Sequence, residues 1–171
     1  MILRLSQRLN KKIKAGKLRD TPLDENPFAD WSCHLFTAGR TQYIILTNTK
    51  SLYSCVMYGK GITDDNRLIN GALSTIREFM EDDGHASAYE RFIIPSSRTT
   101  VSGKALSRSV TGSITELIKF AQPWLVEDDI SPHSLGFKLN GILLSPLGTE
   151  ANYGYGKPRD AFKAMLDQRQ S

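Results

Sequence analysis

Apolar and polar positions along this chain switch between two periods, and the switches mark its elements. Met1 to Leu5 reads as a short strand. From Ser6 to Ala15 the apolar positions widen to Leu5, Leu9 and Ile13, one stripe of a helix, with lysines on the other face and Gly16 as a natural stop. Residues 20–30 hold Pro22, Pro27 and an Asp-Glu-Asn cluster, the composition of a surface loop. Three strands are then predicted in quick succession: Trp31 to Thr37, Gln42 to Thr47 and Leu52 to Tyr58. The breaks between them, Ala38-Gly39-Arg40 and Asn48-Thr49-Lys50-Ser51, are of hairpin length, so the strands form an antiparallel meander. Ile44-Ile45-Leu46 is apolar at consecutive positions, which predicts a middle strand covered on both sides.

The helical period returns after Gly61. Thr63 is placed to cap a helix, with Asp64 and Asp65 against its dipole. Leu68, Ile69, Ala72, Leu73, Ile76, Phe79 and Met80 recur at helical spacing up to Asp83-Gly84. A short helix is expected over Ser87 to Phe92, and an edge strand within Ser96 to Thr100. A second long helix spans Arg108 to Ala121 on the face Val110, Ile114, Leu117, Ile118 and Ala121. Ser113 and Glu116 fit a capping box there, and Pro123 is expected to end the helix. A last helix runs from Pro158 to Leu166.

Helices that are not interleaved strand by strand predict an α+β fold, an antiparallel β-meander with helices packed mainly on one face. No repeat and no linker divides the chain, so residues 1–171 are expected to form a single domain. A chain of 171 residues buries about 70% of its unfolded surface and needs no metal or disulfide to fold.

Composition narrows the function classes. With 40% hydrophobic and 23% charged residues the chain is neither disordered nor collagen-like. No apolar run approaches the roughly 20 residues that span a bilayer, and residues 1–20 lack the apolar core of a signal peptide. Two cysteines, Cys33 and Cys55, in such a chain are expected to be reduced and buried, which points to the cytoplasm and away from a membrane.

The net charge of +4 is unevenly spread. Residues 1–60 carry ten Lys/Arg against four Asp/Glu, whereas residues 61–100 carry four against seven. Arg4, Arg8, Lys11, Lys12, Lys14, Lys17 and Arg19 all precede the first acid, Asp20. Such a run attracts phosphate backbones and other polyanions, or simply solvates a helix face.

Fingerprints of specific chemistry are few. His34, His85 and His133 are far apart, no Cys-x-x-Cys pair exists, and adjacent Cys33 and His34 point to opposite faces of a strand, so no metal site is expected. There is no G-x-S-x-G elbow, phosphate loop or dinucleotide fingerprint, and no cofactor is implied. Tyr43, Tyr53 and Tyr58 on the meander suit a core better than base stacking, and Tyr153 and Tyr155 lie on a loop. The richest stretch is Arg98 to Thr115. There Arg98, Lys104 and Arg108 stand among Ser109, Thr111, Ser113 and other hydroxyls at the start of a helix, where free amides and the dipole favour an anion. Capping and packing account for the same residues equally well.

Four segments together, MILRLSQRLNKKI, HLFTAGRTQYIILTNTKSLYSCVMYG, RSVTGSITEL and KLNGILLSPLG, resemble an uncharacterised bacterial family of domains of unknown function, sometimes found beside a plasmid ORF-3-like domain. The resemblance runs from Met1 to about Leu166 and is most specific over Asn48 to Tyr53 and Arg108 to Ser113. Family members often carry Asn-Asp where this chain has Thr115 and Glu116. The resemblance implies a bacterial cytoplasmic protein and no particular activity.

Two functions follow from the residues. The first is a binding or regulatory module whose basic surface takes nucleic acid or another polyanion through Arg4, Arg8, Lys11, Lys12, Arg98, Lys104, Arg108, Ser109 and Ser113. It would work with a nucleic-acid or protein partner, or as a homodimer joined through a sheet edge. The second is an enzyme on a small phosphorylated or carboxylated substrate. Arg98 and Arg108 would hold the anion, Ser109 or Thr111 would assist, and Asn48 would be a polar partner.

Overall fold

A computed structural model describes all residues, Met1–Ser171. Strand β1 (Ile2–Leu5) is buried at every position. The reason is its place inside a five-stranded sheet made with β2 (Asp30–Ala38), β3 (Thr41–Asn48), β4 (Ser54–Tyr58) and β5 (Val101–Gly103), in the order β4-β3-β2-β1-β5. The β2-β3-β4 part is the expected antiparallel meander. The strictly antiparallel expectation is corrected by β1, which runs parallel to both neighbours, with Ile2 opposite Asp30 on one side and Val101 on the other. Parallel strands need a crossover, and here it is the short helix α1 (Gln7–Ile13) with the loop that follows it.

Side-chain alternation divides the core in two. Leu3, Leu5, Trp31, Cys33, Leu35, Ile44, Leu46, Cys55 and Met57 face one side. That side is covered by α1, by α2 (Asp65–Asp82), by the helical segment 86–97 and by a C-terminal helix. Phe36, Ala38, Tyr43, Ile45 and Val56 face the other side, under α3 (Arg108–Val126) and α4 (Pro132–Leu139). The C-terminal helix is α5 (Pro158–Gln170). Helices therefore pack on both faces of the sheet, not mainly on one. Ile44, Ile45 and Leu46 are all fully buried because each face has its own helical layer.

Local chemistry sets the helix ends. Asp64, rather than Thr63, caps α2, its Oδ1 accepting from the Arg67 amide at 2.9 Å. Helix α3 starts at its cap Ser107, ahead of the Ser113–Glu116 box, and passes through Pro123. Proline removes one amide from the ladder there. Buried Ala121 and Leu125 on either side hold the helix to the core, and Gln122 Nε2 donates to Thr37 O at 2.9 Å.

The sheet edges are met by the chain's own groups. The Asn140 side chain, just after α4, accepts from Ser54 N at 2.7 Å and donates to Ser54 O at 2.9 Å, as a neighbouring strand would. Beyond β5, Arg19 forms a parallel bridge to Gly103, and Lys104 N donates to Arg19 O at 3.0 Å. A dimer through a sheet edge thus meets a cap at Ser54 and a bridge at Gly103. No helix is long and apolar enough to cross a membrane.

Candidate functional site

Strands β1 and β5 lie side by side and parallel, yet the chain leaves them toward opposite faces, to α1 and to α3. Divergence of that kind opens a crevice beyond the carboxyl ends of the strands, where open α/β sheets bind ligands. A cleft of about 750 Å³ occupies this crevice. Leu5, Ser6, Gln7 and Asn10 line it from the β1 side, Lys104, Ala105 and Thr111 from the β5 side. Lys17 and Leu18 add a wall, and His34 of β2 completes it. A second hollow of about 550 Å³ shares Ala105 and Thr111 and continues past Ser107, Arg108, Gly112 and Thr115.

The floor of the cleft is polar and unpartnered. Because Leu5 pairs with Cys33, His34 lies one residue past the end of β1 and has no β1 side chain opposite it. Its side chain is 8% exposed, makes no hydrogen bond to the protein and borders the cleft. Burial lowers its pKa from 6.5 to about 4, so the ring is neutral at pH 7 and offers one N–H donor and one nitrogen acceptor. Asn10 stands on α1 one turn after Ser6, the helix cap. Its Nδ2 donates to Gly16 O at 2.8 Å, while its Oδ1 is buried with no partner. An unmet buried acceptor costs on the order of 1–3 kcal/mol, which an incoming donor recovers.

The rim is cationic. Lys17 and Lys104 are exposed, and no carboxylate lines the cleft. Lys104 Nζ lies 3.4 Å from Asp20 Oδ2, but both groups are in solvent and the pair is weak. The first turn of α3 adds the positive end of a nineteen-residue helix. Ser107 Oγ accepts from Val110 N at 3.2 Å, and the amides of Arg108 and Ser109 begin the helix without an intrahelical carbonyl.

Of the residues picked out in the sequence, Lys104 and Arg108 come together along this groove. Arg4 does not belong to a surface at all. It is 1% exposed, and all five of its N–H donors are used. Nε and Nη2 each donate to Asp30 at 2.8 Å, Nη1 to Thr21 O at 2.8 Å and Lys104 O at 3.1 Å, and Nη2 also to Pro22 O at 2.9 Å. Arg4 is a tether that fixes the cleft wall to the sheet and has no donor left for a ligand. Asn48 is likewise committed. Its Nδ2 donates to Pro27 O and Asp30 O, and its Oδ1 accepts from the amide and the hydroxyl of Ser51, which builds the β3–β4 turn.

The other cations disperse. Arg8 donates to Thr37 Oγ1 at 2.8 Å, and Lys12, one turn on, donates to Gln42 Oε1 at 2.6 Å and Gly59 O at 2.8 Å, both reaching to the far ends of the meander strands. Lys11 is exposed and outside the cleft lining. Arg98 precedes β5 while Lys104 follows it, so the two lie at opposite ends of that strand. Ser109 and Ser113 face a different hollow, beside Thr49 and Lys50, and Ser113 Oγ donates back to Ser109 O at 3.1 Å. Nowhere do three His, Cys, Asp or Glu side chains gather as metal ligands.

His34, Asn10 and Ser6 were missed as site residues, whereas Lys17 belongs to the basic run read from the sequence. The available signal was His34 itself, a titratable residue set between the apolar Cys33, Leu35 and Phe36 of a buried strand. Its convergence with Asn10 depends on β1 and β2 being parallel, which local pattern does not encode.

A family model described as a domain of unknown function (DUF6933) matches residues 2–161. No curated protein and no solved structure is similar enough to match.

Proposed function

Since the chain belongs to DUF6933, a family of domains of unknown function, we propose its role from the site itself: it binds a small phosphorylated or carboxylated molecule in the cleft beyond β1 and β5. One observation carries this reading. Two ammonium groups, Lys17 and Lys104, border a crevice that has no lining carboxylate and whose floor holds unpartnered polar atoms. Lys17 and Lys104 attract the anion, and Arg108 with the first amides of α3 extends the same field. The test is amide chemical-shift titration of the whole chain with inorganic phosphate. Shifts confined to the cleft, and abolished by combining K17A with K104A, support the reading. No shift at millimolar phosphate, or unchanged binding in the double variant, overturns it.

A second reading, a nucleic-acid strand, has its own support. The two hollows join into one groove bordered in turn by Lys17, Lys104 and Arg108. Its mark is an affinity that rises with oligonucleotide length and falls steeply with salt, in proportion to the phosphates neutralised. A single nucleotide that binds as well as an oligomer excludes it.

A further inference from the structure

Resting on the small-anion reading, we infer the chemical class of the ligand: a phosphate monoester whose other end is a neutral hydrogen-bond donor, as in a sugar phosphate or a nucleoside monophosphate. The cleft has two chemically distinct depths. At the rim stand exposed cations, Lys17 and Lys104. At the floor stand Asn10 Oδ1, buried and without a partner, and the His34 ring, nine-tenths buried and without a partner.

The floor states what it needs. Asn10 donates one of its two amide N–H groups to Gly16 O, while its Oδ1 has no partner at all. An ionised carboxylate or a sulfate satisfies neither that oxygen nor the acceptor nitrogen of His34, because it brings only acceptors. The head group must carry N–H or O–H. An ammonium would satisfy the oxygen, but no carboxylate lines the cleft and Lys17 and Lys104 repel a cation. The head is therefore neutral: hydroxyl, amino or amide. His34 supplies one donor and one acceptor beside it, which matches a group that both gives and accepts hydrogen bonds. A cleft of about 750 Å³ holds a molecule of this size, since ligand pockets run from roughly 300 to 1,000 Å³.

The experiment is calorimetric titration of the wild-type chain with inorganic phosphate, ribose 5-phosphate, adenosine monophosphate and adenosine. At least one phosphate monoester is expected to bind roughly tenfold or more tighter than inorganic phosphate, the worth of one or two recovered hydrogen bonds. Which monoester wins separates the sugar from the nucleotide source, and adenosine alone is expected to bind weakly for want of the rim contacts. Both N10A and H34Q should bring the monoester down toward the affinity of inorganic phosphate, whereas K11A, outside the cleft lining, should leave both affinities unchanged. The His34 ring nitrogen resonances of the wild-type protein should move with the monoester and stay still with inorganic phosphate, a readout that needs no variant. Equal affinity for inorganic phosphate and both monoesters, with still ring resonances, overturns the head-group inference and leaves the anion site standing. Absence of binding by every phosphate defeats the anion reading and this inference with it.

Discussion

Arg4 and Asp30 form a two-pronged ion pair sealed from solvent, with Nε to Oδ1 and Nη2 to Oδ2 both 2.8 Å and exposures of 1% and 0%. The pair stands between the sheet and the site, because the remaining Arg4 donors hold the carbonyls of Thr21, Pro22 and Lys104. Removing one partner leaves the other charge buried and alone. Arg4→Met should destabilise the fold by about 3–5 kcal/mol, the usual cost of breaking a buried pair. Urea unfolding at pH 7 measures it. A loss below about 1 kcal/mol, the range of surface pairs, would show that water reaches the pair.

His34 ties stability to pH. An unfolded imidazole titrates at 6.5 and the buried one at about 4, so the unfolded chain takes up this proton first as pH falls. The stability from keeping the ring neutral is complete above pH 6.5. It declines between about 6.5 and 4, at about 1.4 kcal/mol per pH unit at the steepest. Urea midpoints collected across that window should fall more steeply for the wild type than for H34Q. Parallel curves would mean that the ring is solvated.

Asn140 closes the exposed edge of β4 with two hydrogen bonds to Ser54. Asn140→Ala strands a buried amide and a carbonyl, at a cost of about 2–4 kcal/mol for the two. Amide exchange at Ser54 should quicken by more than the global loss of stability predicts. If it quickens only in step with global unfolding, the edge has been recapped by other groups.

Lys17 and Lys104 predict a salt dependence. Each is exposed, so phosphate affinity should weaken as ionic strength rises from 0.01 to 0.15 M, over which the screening length falls from about 30 to 8 Å. Lys104→Ala should flatten that dependence and Lys11→Ala should not, because Lys11 is equally exposed but outside the cleft lining. Equal effects would point to a diffuse surface field in place of a site.

Much of the architecture was legible in the residues. The β2-β3-β4 meander follows from short turn-forming breaks, and α2 from Leu68, Ala72, Ile76, Phe79 and Met80 on one stripe. Less of the site was. A basic run reads as surface, yet Arg4 is the second largest fully buried side chain, because a strand inside a sheet buries both faces. Asn48 stands beside Thr and Lys like a loop residue open to a ligand, yet its Nδ2 is committed to Pro27 O and Asp30 O and its Oδ1 to Ser51 in the β3–β4 turn.

By itself the sequence determined what local forces decide: the β2-β3-β4 meander, the apolar stripes of α1, α2, α3 and α5, and the charge excess at the amino end, but neither α4 nor the caps of α2 and α3. Tertiary structure alone decided that β1 runs parallel between β2 and β5, that helices cover both sides of the sheet, and that His34 and Asn10 line one cleft. Strand direction and neighbour choice depend on burying two apolar faces at once, across separations of up to about a hundred residues. No window of neighbouring residues contains that balance.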